Sequence, residues 1–256
     1  MLDVDAGTTG DPTVNRAVAA PRAGEEALGG ARPLPWRRIA LQAAAMWAAV
    51  HVALAPFTYF AVLLTFQAAG HPTVGMPLGD LMKSWLHYDG NWYIQVAKQG
   101  YSSDYRAVAF FPLYPLLIRG TVFFTFGNYL AAALIVSNLA MLGAFVAVGL
   151  FAAQEDGPAA APWVLRATIA YPLAFFLAAP YTEPLFLALA TCALLFARRG
   201  TWRLAAAAAF LAGFTRLTAI VLVLPLAWEY GRQAGWWEQV RRRQVVWREW
   251  LQPRRL

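Results

Sequence analysis

Residues 39–66, IALQAAAMWAAVHVALAPFTYFAVLLTF, hold no Asp, Glu, Lys or Arg and are interrupted only by Gln42, His51 and Pro56. As a helix rising 1.5 Å per residue this run is about 42 Å long, more than the roughly 30 Å hydrocarbon core of a bilayer. It predicts a membrane-crossing helix, tilted or kinked at Pro56. Arg37 and Arg38 precede it as a signal-peptide basic region would, but the apolar part is far longer than a signal peptide's.

The rest of the chain has the same character. Of 256 residues 59% are hydrophobic and 14% charged, with mean hydropathy +0.45, which excludes an ordinary soluble domain. Further apolar segments follow at 107–126, 128–153, 163–180, 182–197 and 203–228. The expected fold class is therefore all-α, a polytopic membrane protein with about six hydrophobic segments. Its long first extracytoplasmic loop, 67–106, is expected to contain short amphipathic helices.

The domains expected are a disordered cytoplasmic arm at 1–35, a membrane domain at 36–228 and a basic, Trp-rich amphipathic tail at 229–256. The net charge of +7 comes from arginines at segment ends and in the tail, where they orient a chain in a bilayer, so no nucleic-acid partner is expected. The lone Cys192 builds no disulfide or thiolate site within the chain.

Positive-inside reasoning places Arg37 and Arg38, the corner from Arg198 to Arg203 and the tail on one side. Strict alternation of six spans puts that corner on the other. One solution breaks 203–228 into two half-membrane helices at Gly213-Phe214-Thr215-Arg216, buried against protein.

Four polar interruptions could carry chemistry. The first is WLHYDGNWY at 85–93, in which a helix would set Trp85, Asp89 and Tyr93 on one face, an acid between rings. Gly90 and Asn91 are poor helix formers and could break that helix. Rings cover the C–H face of a sugar and a carboxylate takes a hydroxyl proton, although a solvated Asp in an interfacial aromatic belt has the same composition.

The second is AFFPLYPLL at 109–117, whose Pro112 and Pro115 turn the chain where it enters apolar surroundings, with Tyr114 between them and Arg119 after. In the third, PYTEP at 180–184, Glu183 either caps the helix opening at Pro184 or takes part in chemistry with Tyr181. In the fourth, Arg216 sits far inside an apolar segment, where a charge either serves function, as a phosphate clamp, or pairs with Glu183 or Asp89. His71, Asp80, His87 and Asp89 match no strong metal spacing, so no metal ligands are assigned and a divalent ion is left open.

In order and placement these four motifs resemble the PIG-V type of GPI mannosyltransferases and their prokaryotic relatives, over residues 36–230. The resemblance implies a membrane glycosyltransferase of the GT-C class. It would move a mannosyl-type sugar from a polyprenyl-phosphate carrier to a glycan or protein hydroxyl, with the lipid-linked donor as substrate and no cofactor. It implies Asp89 as catalytic base and Trp85, Tyr93, Pro112, Tyr114, Arg119, Tyr181, Glu183 and Arg216 as substrate-binding residues.

The implied location is a multi-pass protein of the cell membrane, or of the endoplasmic reticulum in a eukaryote, with the active site extracytoplasmic. Relatives usually carry several more membrane segments after the position of Tyr230, so this chain reads as a short member or a fragment. The rival readings are a non-enzymatic membrane scaffold or truncated inactive paralogue, and, with no internal repeat to support it, a transporter.

Overall fold

The computed structural model describes residues 34–70, 77–101, 105–236 and 238–242. Residues 1–33 of the arm expected at 1–35, His71, Asp104 and most of the basic tail lie outside the described residues. Contacts divide the chain into Met1–Gly30 and Ala31–Leu256, and every described residue belongs to the second unit.

The described residues are all-helical, without strands. Helix α1 (Trp36–Ala68) runs 33 residues and continues through Pro56. Short helices α2 (Leu78–Lys83), α3 (Gly90–Gln99) and α4 (Leu113–Thr121) follow, with a 3-10 turn at Tyr105–Ala109. Helix α5 (Tyr129–Asp156) is 28 residues long, and the side chain of Asn128 caps it by accepting from the Ala131 N–H at 3.0 Å. Then come α6 (Ala161–Ala170), a 3-10 turn at Ala174–Leu177, α7 (Glu183–Arg198), α8 (Trp202–Gly213), a 3-10 turn at Leu217–Leu222 and α9 (Val223–Gln233).

Two of these helices, α1 and α5, are long and apolar enough to cross a membrane. The other expected segments are divided or short. Proline at 112, 172 and 180 ends helical runs because it lacks the N–H and disfavours helix in the residue before it. At 16 residues, α7 spans only about 24 Å.

Contacts fix the directions of the legs. Ile39 at the start of α1 packs with Ala153 and Ala161, and Trp47 and His51 further along bond to Asn138, so α1 runs antiparallel to α5. Helix α7 runs parallel to α5, since Tyr181 meets Ser137 at one end and Arg198 meets Glu155 at the other. The chain returns between them along α6 and its 3-10 turn. From the Arg198 end α8 travels to Arg216, which meets Glu183, and α9 comes back to set Glu229 and Gln233 against Arg198 and Ala197.

The bundle thus has two unlike ends. One gathers Arg37, Arg38, Arg198, Arg199, Arg203 and Arg232. The other gathers α2, α3, α4, Asp89, Glu183 and Arg216. Segment 203–228 forms an out-and-back pair broken at Gly213, as the charge distribution predicts. The Phe214 carbonyl freed by the break accepts from the Leu113 N–H at 2.9 Å, so protein satisfies it although the Phe214 side chain is exposed.

Candidate functional site

The first motif is not one helix. Lys83 ends α2, Ser84 and Trp85 form a turn, Tyr88 has φ +46°, and α3 opens only at Gly90. Trp85 therefore does not share a helical face with Asp89 and Tyr93. It packs instead among Leu177, Ala178 and α1 residues, and lines a cavity of about 230 Å³ with His87 and Tyr181.

The opening at Gly90 has a packing cause. A Cβ there would lie 3.1 Å from Leu86 Cδ1, 3.3 Å from Pro180 Cγ and 3.4 Å from the Pro180 carbonyl, so glycine lets the first motif press onto the third. Asp89 stands just before α3. Its carbonyl accepts from the N–H groups of Trp92 and Tyr93, while its side chain is exposed and makes no capping bond. The carboxylate is left free to accept a proton.

The third motif is held by the first and the second. The Tyr181 hydroxyl donates to the His87 carbonyl at 2.7 Å, and the hydroxyls of Tyr93 and Thr182 lie 3.2 Å apart. Ser137, fully buried on α5, joins three partners: its hydroxyl donates to the Tyr181 carbonyl at 3.1 Å, accepts from the Tyr181 N–H at 3.2 Å and sits 2.7 Å from the Tyr114 hydroxyl. Tyr114, itself fully buried, also donates to the Ala133 carbonyl at 3.0 Å and meets the Tyr93 ring edge-on at 5.1 Å. Pro112 stands at the opening of α4 and aims Tyr114 inward.

The fourth motif joins through charge. Arg216 Nη1 lies 2.6 Å from Glu183 Oε1, so the pairing with Glu183 is the one formed. Both side chains are about one-third exposed and line a cavity of about 440 Å³ with Thr168, Tyr171, Phe176 and Phe186. Glu183 Oε2 is buried and has no hydrogen-bond partner, an acceptor that a ligand hydroxyl could use. Arg119 is exposed in the last turn of α4 and pairs with none of these residues.

The electrostatics agree with this proximity. Burial first, then the charges of Asp89 and Glu183, push the Tyr181 hydroxyl up to about 12. Burial also raises Tyr93, with Glu183 and Asp89 adding to it and Thr182 and Arg216 opposing. The two carboxylates thus act on both rings, and the guanidinium acts on Tyr93.

The sequence reading misses Ser137 and Thr182, both buried, which tie the motifs together. The signal was the polar pair Ser137-Asn138 within the apolar run of α5. Comparison with protein-family models, curated proteins and solved structures finds no match for this chain.

Proposed function

We propose that the chain is a membrane glycosyltransferase, moving a mannosyl-type sugar from a polyprenyl-phosphate carrier to a glycan or protein hydroxyl. The observation that carries this reading is the convergence at one end of the bundle of an exposed, uncapped carboxylate, Asp89, with the Arg216–Glu183 pair and a cavity beside it.

Asp89 takes the proton of the acceptor hydroxyl as that oxygen attacks the anomeric carbon from the face opposite the phosphate. The C–O bond to phosphate breaks and configuration inverts. Arg216 meets the charge on the departing lipid phosphate, held in place by Glu183. The orphaned Glu183 Oε2 accepts from a sugar hydroxyl. Trp85 and Tyr181 cover apolar faces of the ligands.

The bilayer setting is supported by α1: only 6% of its most apolar 18-residue window is buried by protein, so its surroundings are apolar or filled by a partner. With the basic end cytoplasmic, the Asp89 end lies outside.

The test uses membranes carrying the chain, labelled polyprenyl-phosphate mannose and a panel of glycan and peptide acceptors. Transfer is expected to fall by about 10²-fold or more in Asp89→Asn, the loss typical of a missing general base. Undiminished transfer by that variant would remove Asp89 from the role. Absence of turnover with every acceptor, together with tolerance of Asp89→Asn and Arg216→Ala in cells, would favour a scaffold.

A further inference from the structure

Aromatic rings from three separate stretches of chain line the cavity of about 230 Å³ described beside Trp85: Phe57 of α1, Trp85 and Tyr88 of the first motif, and Phe175, Phe176 and Tyr181 before α7. The proposed transfer leaves Phe57, Tyr88 and Phe175 without a role. Tyr88 is 83% exposed and yet holds φ +46°, a conformation that costs a bulky side chain energy. Core packing does not hold this ring in place, so its position points to a ligand.

The polar atoms of the wall are arranged for one sign of charge. Thr58 donates to the Leu54 carbonyl at 3.0 Å, Ser84 to the Leu81 carbonyl at 2.6 Å and Tyr181 to the His87 carbonyl at 2.7 Å. With their protons committed to backbone, these three hydroxyl oxygens can only accept. Glu183 is paired with Arg216 at 2.6 Å, whereas Asp89, next to Tyr88, has no ion-pair partner among the described residues. Its charge reaches the Tyr181 hydroxyl in the wall. Ring faces, lone pairs and an unpaired carboxylate together favour a cation. A hexose would need donors on several sides, and those left are the Tyr88 hydroxyl and the ring N–H groups of Trp85 and His87.

The depth of the cavity says what carries the cation. At 1.5 Å per residue Phe57 stands about 28 Å beyond Arg38 along α1, close to the roughly 30 Å of a hydrocarbon core. Phe57 and the rings around it therefore lie at headgroup level in the leaflet opposite Arg38. Toward Arg38, Leu54 and Phe175 also line a second cavity of about 460 Å³, whose walls of Ala49, Val50, Ala53 and Met141 are apolar. We propose that the two cavities together bind one phospholipid, with its organic ammonium headgroup among Phe57, Trp85, Tyr88 and Tyr181 and its chain in the apolar cavity. Recognition is through the ammonium group, and the inference does not rest on the transfer reaction.

The probes are choline and its neutral carbon isostere, dimethylbutanol, titrated by saturation-transfer NMR against the full chain in dodecyl maltoside, a detergent without an ammonium group. Choline is expected to bind at least about tenfold more tightly, as a cation among desolvated ring faces does. Equal affinity for the two would overturn the cage, and this comparison needs no variant. Phe57→Leu and Tyr88→Leu, both at exposed positions, should each weaken choline at least about threefold, while Tyr88→Phe keeps its affinity. Full affinity in both leucine variants would remove these rings from the site.

Lysophosphatidylcholine should bind at least about tenfold more tightly than free choline, because its chain adds apolar contact. Ala53→Phe fills the apolar cavity and should erase that gain while leaving choline unchanged. A gain that survives Ala53→Phe would overturn the place given to the chain. Lysophosphatidylglycerol competing as well as lysophosphatidylcholine would refute recognition of the ammonium. No sugar donor is present in these titrations, so their outcome is separate from that of the transfer assay.

Discussion

A Cβ on Gly90 would meet Leu86 at 3.1 Å and the Pro180 carbonyl at 3.4 Å, and neither backbone nor proline ring can yield far. Gly90→Val should cost about 1–3 kcal/mol by overpacking and separate the first motif from the third. Thermal unfolding in detergent measures it, with Gly79→Ala on α2 as control, since nothing lies within 4 Å of a Cβ there. Ser137→Ala removes the donor to the buried Tyr181 carbonyl, so it should cost about 1–3 kcal/mol and reduce transfer through the displaced turn. A transfer assay beside an unfolding curve separates the two effects. Residue identities made Asp89, Glu183 and Arg216 legible as charges in apolar surroundings. The hydrogen bonds of Ser137 were not legible, because their partners lie 23 and 44 residues away and no local pattern encodes such a pairing.

At the scale of elements, the end of α9 is fastened by one buried acid. Glu229 accepts from Arg232 at 2.6 and 2.9 Å, from Arg198 at 2.9 Å and from Gln233 at 2.6 Å. Burial alone would raise it, but the bonds from Arg232 and Gln233 and the charges of Arg198 and Arg232 outweigh burial and hold it below its ordinary value of 4.5. Its folded value is depressed, so its contribution is complete above that ordinary value and is lost as pH falls through the folded one. Protection of the α9 amides, taken against their intrinsic exchange rate at each pH, should fall on acidification below about pH 4.5, and in Glu229→Gln that acid response should shrink. Gly149→Val should loosen α1 from α5, because a Cβ there would lie 2.8 Å from Ile39 Cγ2. The break at Gly213 was readable from Arg216 and the arginine corner, whereas the divided 107–126 and 163–180 segments were not readable from hydropathy, which averages over the prolines that split them.

For the whole molecule, the two unlike ends make a testable prediction about sidedness. In a Cys192→Ser background, cysteines at Tyr88 and Arg199 should react with a membrane-impermeant maleimide from opposite sides of a sealed vesicle, Tyr88 from outside. Labelling of both from one side would refute the arrangement. All-helical class and the length of α1 followed from composition; the direction of each leg required tertiary contacts, since parallel and antiparallel neighbours share the same hydropathy. The parallel pairing of α5 with α7 also bears on biogenesis. Ser137 and Asn138 find their partners at Tyr181 and Ala178, which leave the ribosome 44 and 40 residues later. Until then Ser137 has Tyr114 alone and Asn138 has Leu134 and His51 alone, so a nascent chain halted near residue 170 should hold this seam less firmly than the finished chain, a difference that proteolysis of arrested chains measures.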